Sequence, residues 1–145
     1  TIMNTKKDHN NAFLIHISAM AGYFFPLGGV IAPLIFWQVK KDESQFLDEQ
    51  GKEAVNFNLS FLLYTFILGL TFIPFFIKWF FDIFSNIDQM HDNFHFNFPS
   101  MLGFIGGISI IGILGLIRFA LIILASVKAN KGENFKYPLS IKFIK

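Results

Sequence analysis

An all-α, polytopic transmembrane helical bundle is the fold class this sequence predicts, and three observations carry that prediction. First, 53% of the 145 residues are hydrophobic and only 15% are charged, whereas a soluble domain is nearer a quarter charged. A soluble fold of this size exposes too much surface to hide so many apolar side chains. Second, three apolar stretches, residues 12–39, 54–81 and 101–127, each exceed the roughly 20 residues needed to cross a bilayer as a helix. In lipid the backbone must satisfy its own polar groups, which selects helices. Third, lysines are segregated. Lys40, Lys41 and Lys52 lie in the first polar loop, and Lys128, Lys131, Lys136, Lys142 and Lys145 in the tail, whereas the second loop carries only Lys78. The positive-inside rule puts the first two groups, and the C-terminus, on the cytoplasmic side of a cell membrane.

The elements follow in order within one integral membrane domain, 1–145. Stretch 12–39 is interrupted by Pro26, Gly28, Gly29 and Pro33, and a proline removes a helical hydrogen bond. It reads as one broken span or as a hairpin with halves near 12–25 and 30–39. The hairpin gives four helices and both ends cytoplasmic. Lys6-Lys7, the apolar run from Ala12 and Ala19-Met20-Ala21 have the shape of a signal peptide. The chain stays apolar through Val39, so a retained membrane segment is expected.

The loop at 40–53 is dense in charge. Asp42 and Gln45 have capping-box spacing. Phe46, Leu47, Ala54, Phe57 and Phe61 share one side at ~100° per residue, as in an amphipathic segment that runs into the second span. Residues 82–99 form the outer loop, where Phe94, Phe96 and Phe98 alternate with His95 and Asn97, and Pro99 opens the last stretch.

Arg118 is the principal candidate site residue. A central membrane arginine costs on the order of 3 kcal/mol unless it finds partners or water. On a helical wheel it shares a face with Gly103 and Gly107, a close-packing pattern, so it is expected to face other helices. Asn56, Asn58, Glu53, His16 and Ser18 are its candidate partners. Snorkelling to the surface, a structural buried pair and a role in handling a substrate or partner all remain open. Asn56, Asn58 and Ser60 sit at the inner end of the second span, where Asn side chains commonly bond to a neighbouring helix.

Little points to chemistry. His91 and His95, with Asp88 and Asp92, would share a face if helical, a geometry suited to a transition metal; the alternation of Phe and polar residues there looks extended, and no metal site is expected. His16, Ser18 and Asp8 do not build a convincing triad. Phosphate-loop and zinc-protease motifs are absent, as is cysteine. No enzyme activity and no cofactor are expected. A net charge of +2 gives no reason to expect nucleic acid. The expected partners are membrane lipid and either a protein partner or further copies of the chain. Abundant Phe, Lys, Asn and Ile, all AT-rich in codon, point to a low-GC bacterium.

Several motifs recur together: Pro26-Leu27-Gly28, Pro33-Leu34-Ile35-Phe36-Trp37, Asp48-Glu49-Gln50-Gly51-Lys52-Glu53-Ala54-Val55-Asn56-Phe57, and the ending Lys128 to Glu133 followed by Lys136-Tyr137-Pro138-Leu139. With these the chain resembles small bacterial membrane proteins of a domain-of-unknown-function family, distant relatives of the twenty-kilodalton Tic component of the chloroplast import translocon. Gly29 stands where that family often has Asn, Asn58 where it often has Gln, and the loop at 78–99 looks longer. The resemblance implies an all-helical membrane fold and a link to protein translocation or membrane integrity. It also gives the motif at 48–53 and Tyr137-Pro138 a joint meaning as one cytoplasmic platform, with Glu53 and Lys136 as a possible pair. The expected function is that of a non-enzymatic accessory subunit of a transport or translocation machine, or of membrane protection; the alternative is an autonomous oligomeric transporter or channel.

Overall fold

The computed structural model describes residues 5–86 and 98–145. Among the described residues there are four α-helices, α1 (Lys6–Ser18), α2 (Gly28–Lys40), α3 (Gln45–Asn86) and α4 (Phe98–Asn130), followed by a non-helical tail, 131–145. The histidines His91 and His95, with Asp88, Asp92, Phe94 and Phe96, lie outside the described residues.

The first apolar stretch folds as two short helices joined by a 3₁₀ turn, Ala19–Tyr23. Thr5 starts α1 with a capping box. The Asp8 N–H donates to the Thr5 hydroxyl at 3.2 Å, and the Thr5 N–H donates to the Asp8 carboxylate at 3.0 Å. Pro26 ends the descent, because its ring disfavours helical backbone at Phe25. Leu27 then takes a left-handed conformation, φ 63°, before α2 begins. α1 and α2 pack against each other, and Lys7 of α1 pairs with Glu43, in the loop after α2, at 3.3 Å.

Ser44, rather than Asp42, caps α3, its hydroxyl accepting from the Leu47 N–H at 3.2 Å. The 42 residues of α3 measure about 63 Å at 1.5 Å per residue, about twice the ~30 Å hydrocarbon core of a bilayer. The reason is its composition. The first turns carry a polar stripe and a buried apolar face (Phe46, Leu47, Ala54, Phe57), and only the later turns are apolar all round. α3 over Gln45–Ser85 and α4 over Phe98–Asn130 are long and apolar enough to cross a membrane. α4 stops in a Schellman arrangement. The Glu133 N–H donates to the Lys128 carbonyl at 3.1 Å and the Gly132 N–H to Ala129 at 3.0 Å, with Gly132 at φ +78°.

The chain divides into two compact units. The first holds the residues up to Leu63 together with Leu116–Lys145. Its core joins Ala12 and Ile15 of α1, Leu47 and Ala54 of α3, and Ala125 and Ala129 of α4. The alanines let these helices approach closely, as small residues do in membrane packing. The second unit, within Tyr64–Gly115, pairs the later turns of α3 with the earlier turns of α4. Phe75 lies against Gly103 and Phe72 against Gly107, each ring occupying the space a Cβ would need. Trp79 stacks on Phe104 at 4.4 Å. Outward, this unit presents large apolar side chains such as Phe66, Leu70 and Phe81. Surfaces of this kind are stable against lipid, not water.

Gly51 packs beneath the Trp37 indole, whose N–H is held by Asp48 at 2.9 Å. A Gly51→Ala methyl would overlap that ring. We expect an overpacking penalty of roughly 1–3 kcal/mol to outweigh the ~1 kcal/mol gain in helix propensity, lowering the melting temperature in detergent. Gly69→Ala, with open space around the added methyl, should not lower it. Equal behaviour of the two variants would contradict the Trp37 packing.

Candidate functional site

Two polar constellations lie inside the first unit. One surrounds Arg118, only 8% exposed. Its Nε and Nη2 both donate to Asn58 Oδ1, at 3.1 and 2.8 Å, and Nη2 also donates to the Ala19 carbonyl at 3.2 Å. The Asn58 amide is oriented for this by its own helix, since its Nδ2 donates to the Ala54 carbonyl at 2.8 Å. The rings of Phe61 and Tyr23 flank the guanidinium at 4.9 and 5.1 Å, a cation–π arrangement that strengthens when water is excluded. Gly22 and Gly29 supply the space, because a Cβ on either would run into Nη2. The buried cation is therefore met by carbonyl dipoles and ring faces. Of the expected partners, only Asn58 reaches it. Asn56, Glu53, His16 and Ser18 bond elsewhere. Gly103 and Gly107, which share its helical face on a wheel, serve the aromatic packing of the second unit instead.

The other constellation joins α3 to the C-terminal tail. The tail is extended, so its backbone groups need partners outside itself. A stripe of α3 side chains provides them. Gln50 accepts from the Phe135 N–H at 3.3 Å, Glu53 from the Tyr137 N–H at 3.3 Å, and Ser60 from the Ile141 N–H at 2.7 Å. Asn56 then holds Ile144 on both sides, accepting from its N–H at 2.8 Å and donating to its carbonyl at 2.9 Å. The tail runs outward along α3 to Ser60 and doubles back to Asn56. The reversal lies between Ile141 and Ile144, where the Phe143 N–H donates to the Ile141 carbonyl at 3.0 Å; Leu139, after Pro138, adopts φ 58° on the way to Ser60.

His16 locks this arrangement from α1. Its Nδ1 lies 3.0 Å from the Tyr137 hydroxyl and its Nε2 3.0 Å from Gln50 Oε1. Tyr137 stacks on Phe57 at 4.0 Å, with Phe135 edge-on at 5.0 Å. Burial lowers the His16 pKa to about 4, partly offset by its bond to Gln50, and burial raises that of Tyr137. Both groups are neutral at pH 7 and serve to hold structure. Around them, Asp48 bonds Trp37 and pairs with Lys52 at 2.6 Å, and Glu49 accepts from Gln45 at 2.8 Å. Ser18 bonds only within α1, to the Ile15 carbonyl at 2.7 Å. The expected pairing of Glu53 with Lys136 is replaced by the bond from Glu53 to the Tyr137 backbone. Among the described residues, no three His, Asp or Glu side chains converge as a metal site would require.

Sequence reasoning missed Gly22 and Tyr23 as parts of the Arg118 site. The available signal was the pair of glycines, Gly22 and Gly29, bracketing the Pro26 turn.

Fold and site together define a small all-helical membrane protein whose polar residues brace its own chain. It belongs to the MamF/MmsF family, the magnetosome magnetite crystal formation protein family, which it matches over residues 7–144. This corrects the resemblance to translocon-related proteins drawn from the sequence motifs, because the family found over those residues is the magnetosome one. No curated protein and no solved structure matches the chain.

Two predictions follow from this geometry. Asn58→Ala strands a buried cation and should cost about 3–5 kcal/mol. The double variant Arg118→Leu/Asn58→Leu, by removing the charge as well, should recover much of that loss in thermal melts. For His16, the unfolded chain binds a proton near pH 6.5 and the folded protein only near pH 4. Its contribution is therefore complete above pH 6.5 and is lost as pH falls toward 4, by about 3 kcal/mol in all. The lysine partners Lys40 and Lys7 hold Glu43 below its ordinary 4.5, so its contribution is lost only at more acid pH. Melts between pH 7 and 4.5 should slope downward for the native chain and run flat for His16→Gln.

Proposed function

We propose that this chain is a non-enzymatic multi-pass protein of the membrane around a forming magnetite crystal, acting by contact as an accessory subunit. The observation that carries this reading is the family match, which spans the hairpin, both membrane-length helices and the tail. Several features support the finer points. Buried polar residues of the first unit, Arg118, Asn58, His16, Gln50 and Asn56 among them, are engaged in holding helices and tail together, which supports scaffolding over turnover. Arg118 is engaged within the fold, which supports a structural role over the lining of a conduction path. Contacts of Lys7 and Lys40 with Glu43, at 3.3 and 2.7 Å, join the N-terminal lysines to the first polar loop. With the lysines of the tail, that supports a cytoplasmic location for both ends.

The test is complementation. A magnetite-forming bacterium deleted for its own member of the family would express this chain, and crystal dimensions would be measured by electron microscopy. Recovery of crystal size is the expected result. Crystals that stay as in the deletion strain, with the chain inserted in the crystal-bearing membrane, would remove the proposal.

A further inference from the structure

Between the first turns of α3 and the returning tail lies a groove of about 540 Å³. Its floor is built. Gln50 and Asn56 are 1% and 3% exposed, and both side chains are fixed by the bonds to the tail described above. Its rim carries Lys52, Lys136, Lys142 and Lys145 against Glu49 and Glu53. Glu53 accepts from the Tyr137 N–H and Glu49 from Gln45, bonds that orient both carboxylates and leave them charged; the four lysines outnumber them. Lys52 is paired with Asp48. Lys136, Lys142 and Lys145 are exposed and line the groove. A second feature lies beside them. Leu139, Ile141 and Phe143, at 84%, 40% and 50% exposed, are interspersed with these lysines along the tail sequence.

We propose that this groove is a binding site for a phosphate-bearing anion, with the lysine ammoniums on the phosphate oxygens. The neighbouring apolar side chains favour an anionic lipid headgroup, whose acyl chains they would meet while the lysines stay at headgroup level. Each lysine near an anionic surface contributes on the order of 1 kcal/mol, so the three exposed ones lining the groove give a usable preference. The Asn56 clamp on Ile144 holds Lys142 and Lys145 beside the groove without a ligand.

The full chain would be purified in detergent with mixed phosphatidylglycerol and phosphatidylcholine, and retained lipid counted by native mass spectrometry. Inorganic phosphate would be titrated in a parallel arm. Preferential retention of phosphatidylglycerol is expected, falling roughly fivefold for each charge removed in Lys136→Gln and Lys142→Gln. Lys142→Arg should keep it, and Lys40→Gln/Lys41→Gln, outside the groove, should leave it unchanged. Displacement of the lipid by low-millimolar phosphate, with the same dependence on Lys136 and Lys142, would support the site and make free phosphate its ligand. No preference over phosphatidylcholine together with no phosphate binding would overturn the proposal. So would a preference that survives both glutamine substitutions in variants whose melting temperatures match the native chain.

Discussion

A cation held among apolar helices sets the terms for half of this molecule. Arg118 sits on a membrane-length helix, where an unpartnered charge is costly. An asparagine carbonyl, a backbone carbonyl, the Tyr23 side chain and the Phe61 ring meet the guanidinium. Each comes from a fixed place: Asn58 and Phe61 from α3, Ala19 and Tyr23 from the 3₁₀ turn. The site therefore demands that the hairpin close onto both long helices. Gly29 on α2 and Gly22 in the turn meet that demand by leaving room where any side chain would collide. The left-handed Leu27, a conformation that costs a non-glycine residue roughly 1–2 kcal/mol, is tolerated at the turn this closure requires.

A second constraint shapes the polar end. An extended tail cannot satisfy its own backbone, and a helix surface has no free backbone groups to offer. Here helix side chains act in place of a neighbouring strand, with Gln50, Glu53, Asn56 and Ser60 along α3 receiving the N–H groups of Phe135, Tyr137, Ile144 and Ile141 in turn. His16 and Tyr137 join the α1 end of the hairpin to the same assembly. This explains why α3 is far longer than a bilayer needs. Its opening turns are the docking rail for the tail, and its later turns meet lipid. The lysines brought together by that docking form the rim of the groove.

The resemblance drawn from the motifs misled about kinship for a physical reason. Its most specific stretch, Asp48 to Phe57, and the ending that includes Tyr137 take part in holding the tail to the helix. They report how the chain is braced, and a bracing motif does not identify an activity. The two motifs meet where the tail docks on α3. Glu53 meets the backbone of Tyr137 and not the side chain of Lys136. Likewise the start of α3 was legible within two residues, although Ser44 and not Asp42 provides the cap, since both lie in the same polar run.

By itself the sequence determined the helical membrane class, because hydrophobic run length and low charge leave no other solvent for these side chains. It also marked Arg118 as needing a partner, since charge in an apolar run is visible in one dimension. It identified Asn58 among several candidates, but periodicity alone could not separate Asn58 from Asn56 on the same helix. Only the tertiary structure decided that Asn58 faces the guanidinium while Asn56 clamps the tail, and that Gly103 and Gly107 serve aromatic packing elsewhere. Those choices depend on which surfaces three helices and a returning tail bring within about 3 Å of one another, and contacts between residues 60 to 120 positions apart leave no local signal in the chain.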